Sequence, residues 1–314
     1  MKTSSWSLLL SASLVTTISA FGADRSGPSG PADDAQDDAV EAHGKVVHET
    51  NPDAGNLHAS RPKRGTGISY HGGPLILGGN GGGVNVYVIW YGNWTGNSAT
   101  TIIPNFLNAE GGSPYYHINT TYYNGAGTHV ANVISFLGQT TDSYSQGTSL
   151  GDAQVQAVVS SALTSGRLPT DPNGVYFVLT SADVTETSGF CTQYCGWHTY
   201  GTLNGSNIKY AFVGNPDRCP SACEAQTTSP NGNSGADGMV SIIAHELEEA
   251  VSDPNLNAWF DGRGAENADK CAWTFGATYT TSNGAQANMN LGGHDYLIQQ
   301  NWVNAGSGYC ALSY

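Results

Sequence analysis

Positive charge is scarce in this 314-residue sequence. It contains 11 Lys and Arg residues against 25 Asp and Glu residues, and its formal net charge is −14. After residue 64 only five basic residues remain: Arg167, Lys209, Arg218, Arg263 and Lys270. An acidic surface of this kind repels the phosphate backbone of nucleic acids. The composition therefore argues against a nucleic-acid partner.

An apolar run long enough to cross a bilayer, about 20 residues, is also missing. Residues 1–20 carry one basic residue, Lys2, and then a short apolar run from Leu8 to Val15. The segment ends in the small residues Ser19 and Ala20. These three parts are typical of a cleavable signal peptide. We expect a secreted, extracellular protein without a membrane anchor.

Large apolar residues are nearly absent from residues 21–64, which consist mainly of Gly, Pro, Asp, Ala and other small or polar types. Such a segment cannot bury enough surface to offset its ordering entropy, so we predict that it is disordered. It ends in the dibasic pair Lys63-Arg64. Two interpretations stay open: a propeptide removed after Arg64, or a linker. In both, residues 65–314 form the folded part of the chain.

Cysteine is absent from the first 190 residues, and six cysteines follow. An even number in an exported chain predicts disulfides. We expect a bond between Cys271 and Cys310, because it would hold the C-terminal tail. The spacing of the other four would also allow a four-sulfur zinc site, but an oxidising compartment favours disulfides. These four are Cys191, Cys195, Cys219 and Cys223.

Three sequons for N-glycosylation begin at Asn93, Asn119 and Asn204. In a eukaryotic secretory route each could carry a glycan. In a bacterium they would have no such meaning.

Apolar patterning predicts strands that alternate with helices. We predict strands at residues 85–91, 128–137, 175–179 and 208–213, and helices at residues 98–110, 152–164 and 237–251. The four-cysteine segment and the chain after Pro254 are expected to be irregular. This order predicts an α+β (α/β-like) domain with a single sheet, packed helices and an irregular, disulfide-linked C-terminal part.

The segment that carries chemistry is residues 245–249, His-Glu-Leu-Glu-Glu. On a helix, His245 and Glu249 lie one turn apart on the same face and can bind one divalent metal. In His-Glu-x-x-His metalloproteases, the Glu after the first His is the general base that acts on metal-bound water. In this sequence Glu249 takes the place of the second His. The pattern predicts a metal centre in which Glu246 activates water.

A third ligand should come from further along the chain. Glu266 is our candidate, because it follows Glu249 by 17 residues, close to the separation found in glutamate-type zincins. The alternatives are Asp253, Asp261, Asp269 and, at greater distance, His198 and His294. Asp269 could instead orient a ligand. Zinc is the favoured metal, although one His with two carboxylates would also suit calcium or manganese.

Several segments together resemble one family. They are residues 70–74 (Tyr-His-Gly-Gly-Pro), 86–92 (Val-Tyr-Val-Ile-Trp-Tyr-Gly), 175–184, 189–198 (Gly-Phe-Cys-Thr-Gln-Tyr-Cys-Gly-Trp-His), 210–215, 219–223 (Cys-Pro-Ser-Ala-Cys) and 237–240. Over residues 70–310 the chain resembles the phosphate-induced protein 1, or EXORDIUM-like, family. The resemblance implies an extracellular protein. Plant members are linked to growth and cell-wall expansion, without a settled biochemical activity.

The segment at His245 departs from the plant pattern, in which small apolar residues usually continue the helix. It is similar to a microbial branch that keeps His-Glu-x-x-Glu, so the plant growth role is not carried over. The strands that precede this helix are ordered as in the zincin core. That likeness is an analogy of fold and does not by itself give an activity.

Two functions are compatible with these patterns. The first is a secreted metal-dependent hydrolase, a zincin-like metallopeptidase acting on a protein, peptide or cell-wall substrate, with His245, Glu249 and Glu266 as metal ligands. The second is a non-catalytic extracellular protein in which the metal braces the C-terminal loops. An open cleft above His245 would favour the enzyme. A metal that is enclosed by four protein ligands would favour the structural role. We expect a monomer in both cases.

Overall fold

The structure, a computed structural model, describes residues 45–51, 67–78 and 82–314. The predicted signal peptide at residues 1–20 lies outside these ranges, and so does the dibasic pair Lys63-Arg64. In the part that is described, no helix combines the length and the apolar character needed to span a membrane.

Six strands of the described chain form the main sheet. They are β1 (Val46–Glu49), β2 (Val84–Tyr91), β3 (Ile134–Asp142), β4 (Gly174–Thr180), β5 (Tyr194–Leu203) and β6 (Ser206–Gly214). Their order across the sheet is β1-β5-β6-β4-β2-β3. Strands β6, β4, β2 and β3 run parallel, whereas β5 is antiparallel to β6 and β1 is antiparallel to β5. Every residue of β4 is buried, as its continuous apolar sequence predicts for a central strand.

Three longer helices pack against this sheet: α1 (Ala99–Glu110), α2 (Asp152–Thr164) and α3 (Ser234–Ser252). Helix α3 contacts β5 and β6 as well as α1, and α2 contacts β4 and β6. The predicted mixed α and β fold with one main sheet is therefore confirmed. The bounds of α2 are those that the sequence predicts.

Shorter elements complete the described chain. Two-stranded ladders join Ser69–Tyr70 to Trp259–Phe260, Ser149–Leu150 to Thr185–Glu186, Tyr279–Thr280 to Gln286–Ala287, Met289–Leu291 to His294–Tyr296, and Asn301–Val303 to Tyr309–Ala311. A 3₁₀ helix of two turns occupies Tyr116–Thr121, and single helical turns occupy Pro216–Arg218, Pro220–Cys223 and Asp269–Cys271. The C-terminal part is thus built from small ladders and turns rather than long elements.

The predicted strand at residues 128–137 is wrong in its position, since β3 begins at Ile134. Residues before it form a tight turn, in which the backbone N–H of Asn124 donates to the carbonyl of Thr128 at 3.0 Å. Tyr123 and His129 form an isolated bridge across this turn. The backbone groups of this stretch are therefore partly satisfied locally rather than in the sheet.

The expectation of an irregular four-cysteine segment is also corrected, because the whole of β5 lies within it. Strands β5 and β6 form a hairpin whose turn is Asn204-Gly205, and both turn residues have positive φ, 48° and 76°. A two-residue Asn-Gly turn of this kind matches the twist of paired strands.

The prediction that residues 21–64 are disordered is wrong for the part of this segment that the structure describes. Residues 46–49 form β1, which pairs with β5 at the edge of the sheet.

Helix α3 begins earlier than Asp237 or Ser241. Its N-cap is Asn233, whose side chain accepts a hydrogen bond from the backbone N–H of Ala236 at 3.0 Å. We expected one face against the sheet, but from Ile242 onward the helix is buried on nearly all sides. Its charged residues must therefore find their partners inside the protein.

Three disulfides connect the six cysteines: Cys191 with Cys219, Cys195 with Cys223, and Cys271 with Cys310. The predicted Cys271–Cys310 bond is confirmed. The four-sulfur zinc site is wrong, because all four of its thiols are bonded in disulfides. The first two bonds attach the start of β5 to the short helix Pro220–Cys223.

Candidate metal centre

The two ligands predicted on helix α3 lie together. The Nε2 atom of His245 is 3.0 Å from Oε1 of Glu249, one turn further along the helix. Glu246 is close enough for its carboxylate, a nitrogen of His198 and an oxygen of Glu249 to lie within 4.8 Å of one another. The four-residue spacing on the helix therefore brings the imidazole of His245 and the carboxylate of Glu249 together, as the sequence predicts.

A second histidine reaches the same place from strand β5. The Nε2 atom of His198 lies 3.3 Å from Oε2 of Glu266 and 3.7 Å from Oε2 of Glu249. The sequence places His198 only among the more distant alternatives, because β5 lies in a segment that is expected to be irregular. The Asn-Gly turn after β5 was the available signal, since it places His198 on the strand beside β6 and under α3.

The loop after α3 supplies Glu266 and Asp269. Oδ1 of Asp269 is 3.4 Å from Nε2 of His245. Its backbone N–H donates to Oε1 of Glu249 at 3.0 Å, and its carboxylate accepts from the backbone N–H of Glu266 at 3.1 Å. Asp269 therefore orients two candidate ligands and approaches a third.

The other predicted alternatives have different roles. Asp253 accepts hydrogen bonds from two backbone N–H groups of its own turn, both at 2.6 Å. Asp261 pairs with Lys270 at 2.6 Å. His294 is exposed and lies beside Asn105. Asp261 thus stabilises its loop, and His294 is outside the cluster. Asp253 stabilises its turn through Oδ1, whereas its buried Oδ2 makes no hydrogen bond to the described residues and its charge acts on Glu266.

The cluster is sealed from solvent. His198, His245, Glu246 and Glu249 are 0% exposed, and Glu266 is 1% exposed. Several of their polar atoms make no hydrogen bond to the described residues: both nitrogens of His198, Nε2 of His245, both oxygens of Glu246, Oε2 of Glu249 and Oε2 of Glu266. The short distances from Nε2 of His198 and of His245 to carboxylate oxygens are therefore charge contacts without hydrogen-bond geometry. Buried polar groups are normally satisfied, so these atoms call for a further partner. Asp269, 3.4 Å from Nε2 of His245, keeps 17% of its side chain exposed.

Burial shifts the pKa values of these groups strongly. It raises the pKa of Glu249 to about 7, with the charge of Asp269 adding to the effect, and it raises the pKa values of Glu246 and Glu266. Burial lowers the pKa of His198 to about 3. Burial also acts to lower the pKa of His245, but Glu249 and Asp269 outweigh it and the net direction is upward. Burial thus disfavours the charged forms of the three carboxyl groups and of His198.

A third histidine, His48 from β1, packs against the cluster. Its ring centroid is 4.3 Å from that of His245, and its Nε2 is 2.9 Å from Oε1 of Gln299. The other amide atom of Gln299 is hydrogen-bonded to Nδ1 of His245. Gln299 therefore links the imidazole of His48, on β1, to the imidazole of His245 in the candidate site.

Comparison of the sequence with known proteins identifies the family that the sequence motifs resemble. The family profile described as Phosphate-induced protein 1 conserved region matches residues 68–302. The chain belongs to this family.

Protein EXORDIUM-like 5 of Arabidopsis thaliana is 34% identical over 276 residues, which cover 75% of this chain and 75% of that protein. Protein EXORDIUM-like 3 of the same plant is 32% identical over 282 residues, covering 77% and 82%. Protein PHOSPHATE-INDUCED 1 of Nicotiana tabacum is 26% identical over 231 residues, covering 62% and 67%. No solved structure matches the chain significantly. The expected family is thereby confirmed, and membership of a microbial branch stays a prediction.

Proposed function

We propose that this chain is a secreted, non-catalytic EXORDIUM-like protein that binds one zinc ion through His198, His245, Glu249 and Glu266. The observation that carries the proposal is the set of buried nitrogen and oxygen atoms from these four residues that make no hydrogen bond within the described part of the chain. A cation is the partner that satisfies imidazole nitrogens and carboxylate oxygens at the same time.

The distances within the cluster suit a small tetrahedral ion. Zinc–ligand distances of about 2.0–2.1 Å place neighbouring ligand atoms roughly 3.3 Å apart. Three pairs among the proposed ligands lie near this value: 3.0 Å from His245 to Oε1 of Glu249, 3.3 Å from His198 to Oε2 of Glu266, and 3.7 Å from His198 to Oε2 of Glu249. The two histidines thus approach different oxygens of the Glu249 carboxylate, which lies between them. Two imidazoles in the set favour zinc over calcium, which prefers oxygen ligands.

Four protein ligands without solvent access are typical of structural zinc sites, whereas catalytic sites keep a position open for water. The proposed ligands come from β5, α3 and the loop at Glu266. The metal would therefore join the sheet, the central helix and the C-terminal part. The disulfide Cys271–Cys310 holds the same loop from its other end.

Gln299 is suited to orient His245 for metal binding. A half-turn of its amide would place the oxygen against Nδ1 of His245 and the nitrogen against Nε2 of His48. The turn would give up the weak hydrogen bond that Oε1 accepts from the backbone N–H of Trp273 at 3.3 Å. His245 would then donate from Nδ1 and keep the lone pair of Nε2 for the metal. Metal-bound histidines commonly donate their second N–H to a polar group of this kind.

The test is the metal content of the purified full-length protein, measured by elemental mass spectrometry. We expect near-stoichiometric zinc in the wild type and in the His294→Ala control, which removes an exposed histidine outside the cluster. His245→Ala and Glu249→Ala should lose it. Bound calcium would refute the choice of zinc, and a folded wild type without any metal would refute the site.

One observation favours the zincin-like hydrolase as a second candidate. Glu246 follows His245 directly, and both of its carboxylate oxygens are buried without a hydrogen-bond partner among the described residues, at the position of a general base. The hydrolase requires peptide turnover that Glu246→Gln abolishes while zinc content is unchanged. His48 on β1 packs against His245, so turnover should be measured both with β1 in place and with β1 displaced. Absence of turnover by metal-loaded protein in both states would exclude this candidate.

A further inference from the structure

The segment of residues 45–51 binds the domain in the manner of an added peptide strand. Strand β1 has four residues and occupies the outer edge of the main sheet, antiparallel to β5. Beyond it, the backbone N–H of Thr50 donates to the carbonyl of Gln193 at 3.0 Å, and that of Asn51 to the carbonyl of Ala222 at 2.7 Å. Main-chain pairing along a sheet edge is a recurrent mode of peptide recognition.

At one end of the strand, Lys45 enters a pocket for a cation. Its Nζ is 3.0 Å from Oδ1 of Asp152 and 2.6 Å from Oγ of Ser188. It also lies 4.6 Å from the ring centroid of Tyr194 and 5.1 Å from that of Trp197, within the range of cation–π contacts. An adjoining cavity of about 230 Å³ is lined in part by Asp152 and Trp197. This pocket therefore fits a basic side chain.

Three positions later, His48 enters a second pocket. It is 1% exposed, stacks obliquely on His245 and meets the edge of Trp273 at a centroid distance of 5.0 Å. Gln299 binds its Nε2, and the indole nitrogen of Trp273 donates to the carbonyl of Glu49 at 2.9 Å. The pocket thus recognises a flat, polar ring and the backbone that follows it.

The family match begins at residue 68, after this strand. The strand comes from the segment whose composition predicts disorder, and the dibasic pair Lys63-Arg64 lies between it and the matched region. The occupant of the groove therefore precedes the region that the family profile matches. One of the two interpretations of Lys63-Arg64, removal of a propeptide, would place a cleavage point between them.

We propose that the edge of β5, with its two side-chain pockets, is a binding groove for an extended peptide of another protein. The peptide would carry Lys or Arg and, three residues later, His or another flat polar ring. Residues 45–51 occupy the groove as an internal ligand, and cleavage of the chain between residues 51 and 65 makes them exchangeable.

Exchange would also uncover the candidate metal centre. Val46 lies opposite His198 in the β1–β5 ladder, and His48 covers His245. Displacement of β1 would remove both covers at once. The proposal does not depend on a metal, because its readout is peptide binding, so failure of the zinc site would leave it testable.

The experiment uses the full chain with residues 61–64 replaced by the recognition sequence of a specific protease. The folded protein is cut there, and circular dichroism and gel filtration report whether fold and fragment are retained. A fluorescent peptide of residues 45–51 is then added in excess, and its binding is followed by anisotropy. The uncut chain serves as the control, because its tethered strand should exclude the peptide.

We expect the cut chain to stay folded and monomeric and to bind the labelled peptide. Lys45→Ala and His48→Ala peptides should bind at least tenfold more weakly, whereas a Thr50→Ser peptide should differ by less than threefold. Unfolding on loss of the fragment, no exchange over a day, or affinity independent of sequence would overturn the proposal. A strand-exchanged dimer of the cut chain would assign the groove to a second copy instead of a partner peptide.

Discussion

Three glutamates of helix α3 show how position on a helix decides the partners of a carboxylate. Glu246 and Glu249 face the histidine cluster, whereas Glu248 accepts hydrogen bonds from the hydroxyl of Tyr115 at 3.1 Å and the amide of Asn119 at 3.4 Å. All three are fully buried, and burial raises the pKa of each. The sequence predicts which of these residues share a face, but not that the faces lie inside the protein.

The three sequons differ in accessibility. Asn93 and Asn204 are exposed, whereas Asn119 is 0% exposed and its amide is hydrogen-bonded to Glu248 and Asn267. A glycan has no room at Asn119 in the folded chain. After secretion from a eukaryotic host, glycopeptide mass spectrometry should find glycans at Asn93 and Asn204 only. A glycan at Asn119 in folded protein would contradict the packing around Glu248.

Glu224 predicts a pH dependence outside the candidate metal centre. Burial, and then the charge of nearby Asp217, raise the pKa of Glu224 from 4.5 to about 7. The folded state therefore binds this proton more tightly than the unfolded state, and its contribution to stability is complete below about pH 4.5 and lost as the pH rises through about 7. In Glu224→Gln this decline should disappear. Urea unfolding at pH 4, 6 and 8 measures it, and parallel curves for both proteins would refute the prediction.

At the scale of elements, the contact between β5 and α3 positions the cluster, and it depends on a glycine. A Cβ added at Gly196 would lie 2.6 Å from a methyl group of Ile242 and 3.0 Å from the carbonyl oxygen of Phe212. Gly196→Ala should therefore push α3 away and reduce the free energy of unfolding by about 1–3 kcal/mol.

Gly201, further along the same strand, is the matched control. A Cβ there meets only the flexible end of Gln156 at 3.0 Å and the ring of Tyr210 at 3.7 Å. Gly201→Ala should change stability by less than about 1 kcal/mol. Equal losses in urea denaturation would show that the close approach at Gly196 has no special role.

How well each element could be predicted depends on where its signal lies. Helix α2 was predicted within its bounds, because its apolar stripe and the turn before it are local features. The position of β3 was wrong, since a local turn at residues 123–129 competes with the strand. Strand β1 has only four residues and is formed by partners almost 150 positions away, so its own sequence carries little signal. The place of His198 in the cluster is hard to predict for the same reason, because only the tertiary pairing of β5 brings it to Glu266.

At the scale of the whole molecule, the proposed metal connects parts that are distant in the sequence. Binding to the native state alone stabilises it by about 4 kcal/mol when free zinc exceeds the dissociation constant a thousandfold. For a domain of this size that corresponds to a shift in Tm of roughly 10 °C.

We therefore expect a chelator to lower the Tm of the wild type by about this amount in differential scanning calorimetry. The Glu249→Ala variant should melt at a lower temperature and show no further response to the chelator. An unchanged wild-type Tm after proven removal of the metal would show that the ion does not brace the fold.

The central claim is that one zinc ion lies between the sheet, helix α3 and the loop at Glu266. Anomalous diffraction at the zinc absorption edge, on crystals of the full chain, locates such an ion directly. We expect a single strong peak within bonding distance of Nε2 of His198, Nε2 of His245, and a carboxylate oxygen of each of Glu249 and Glu266. A peak elsewhere, or none in zinc-supplemented crystals with these side chains ordered, would contradict it.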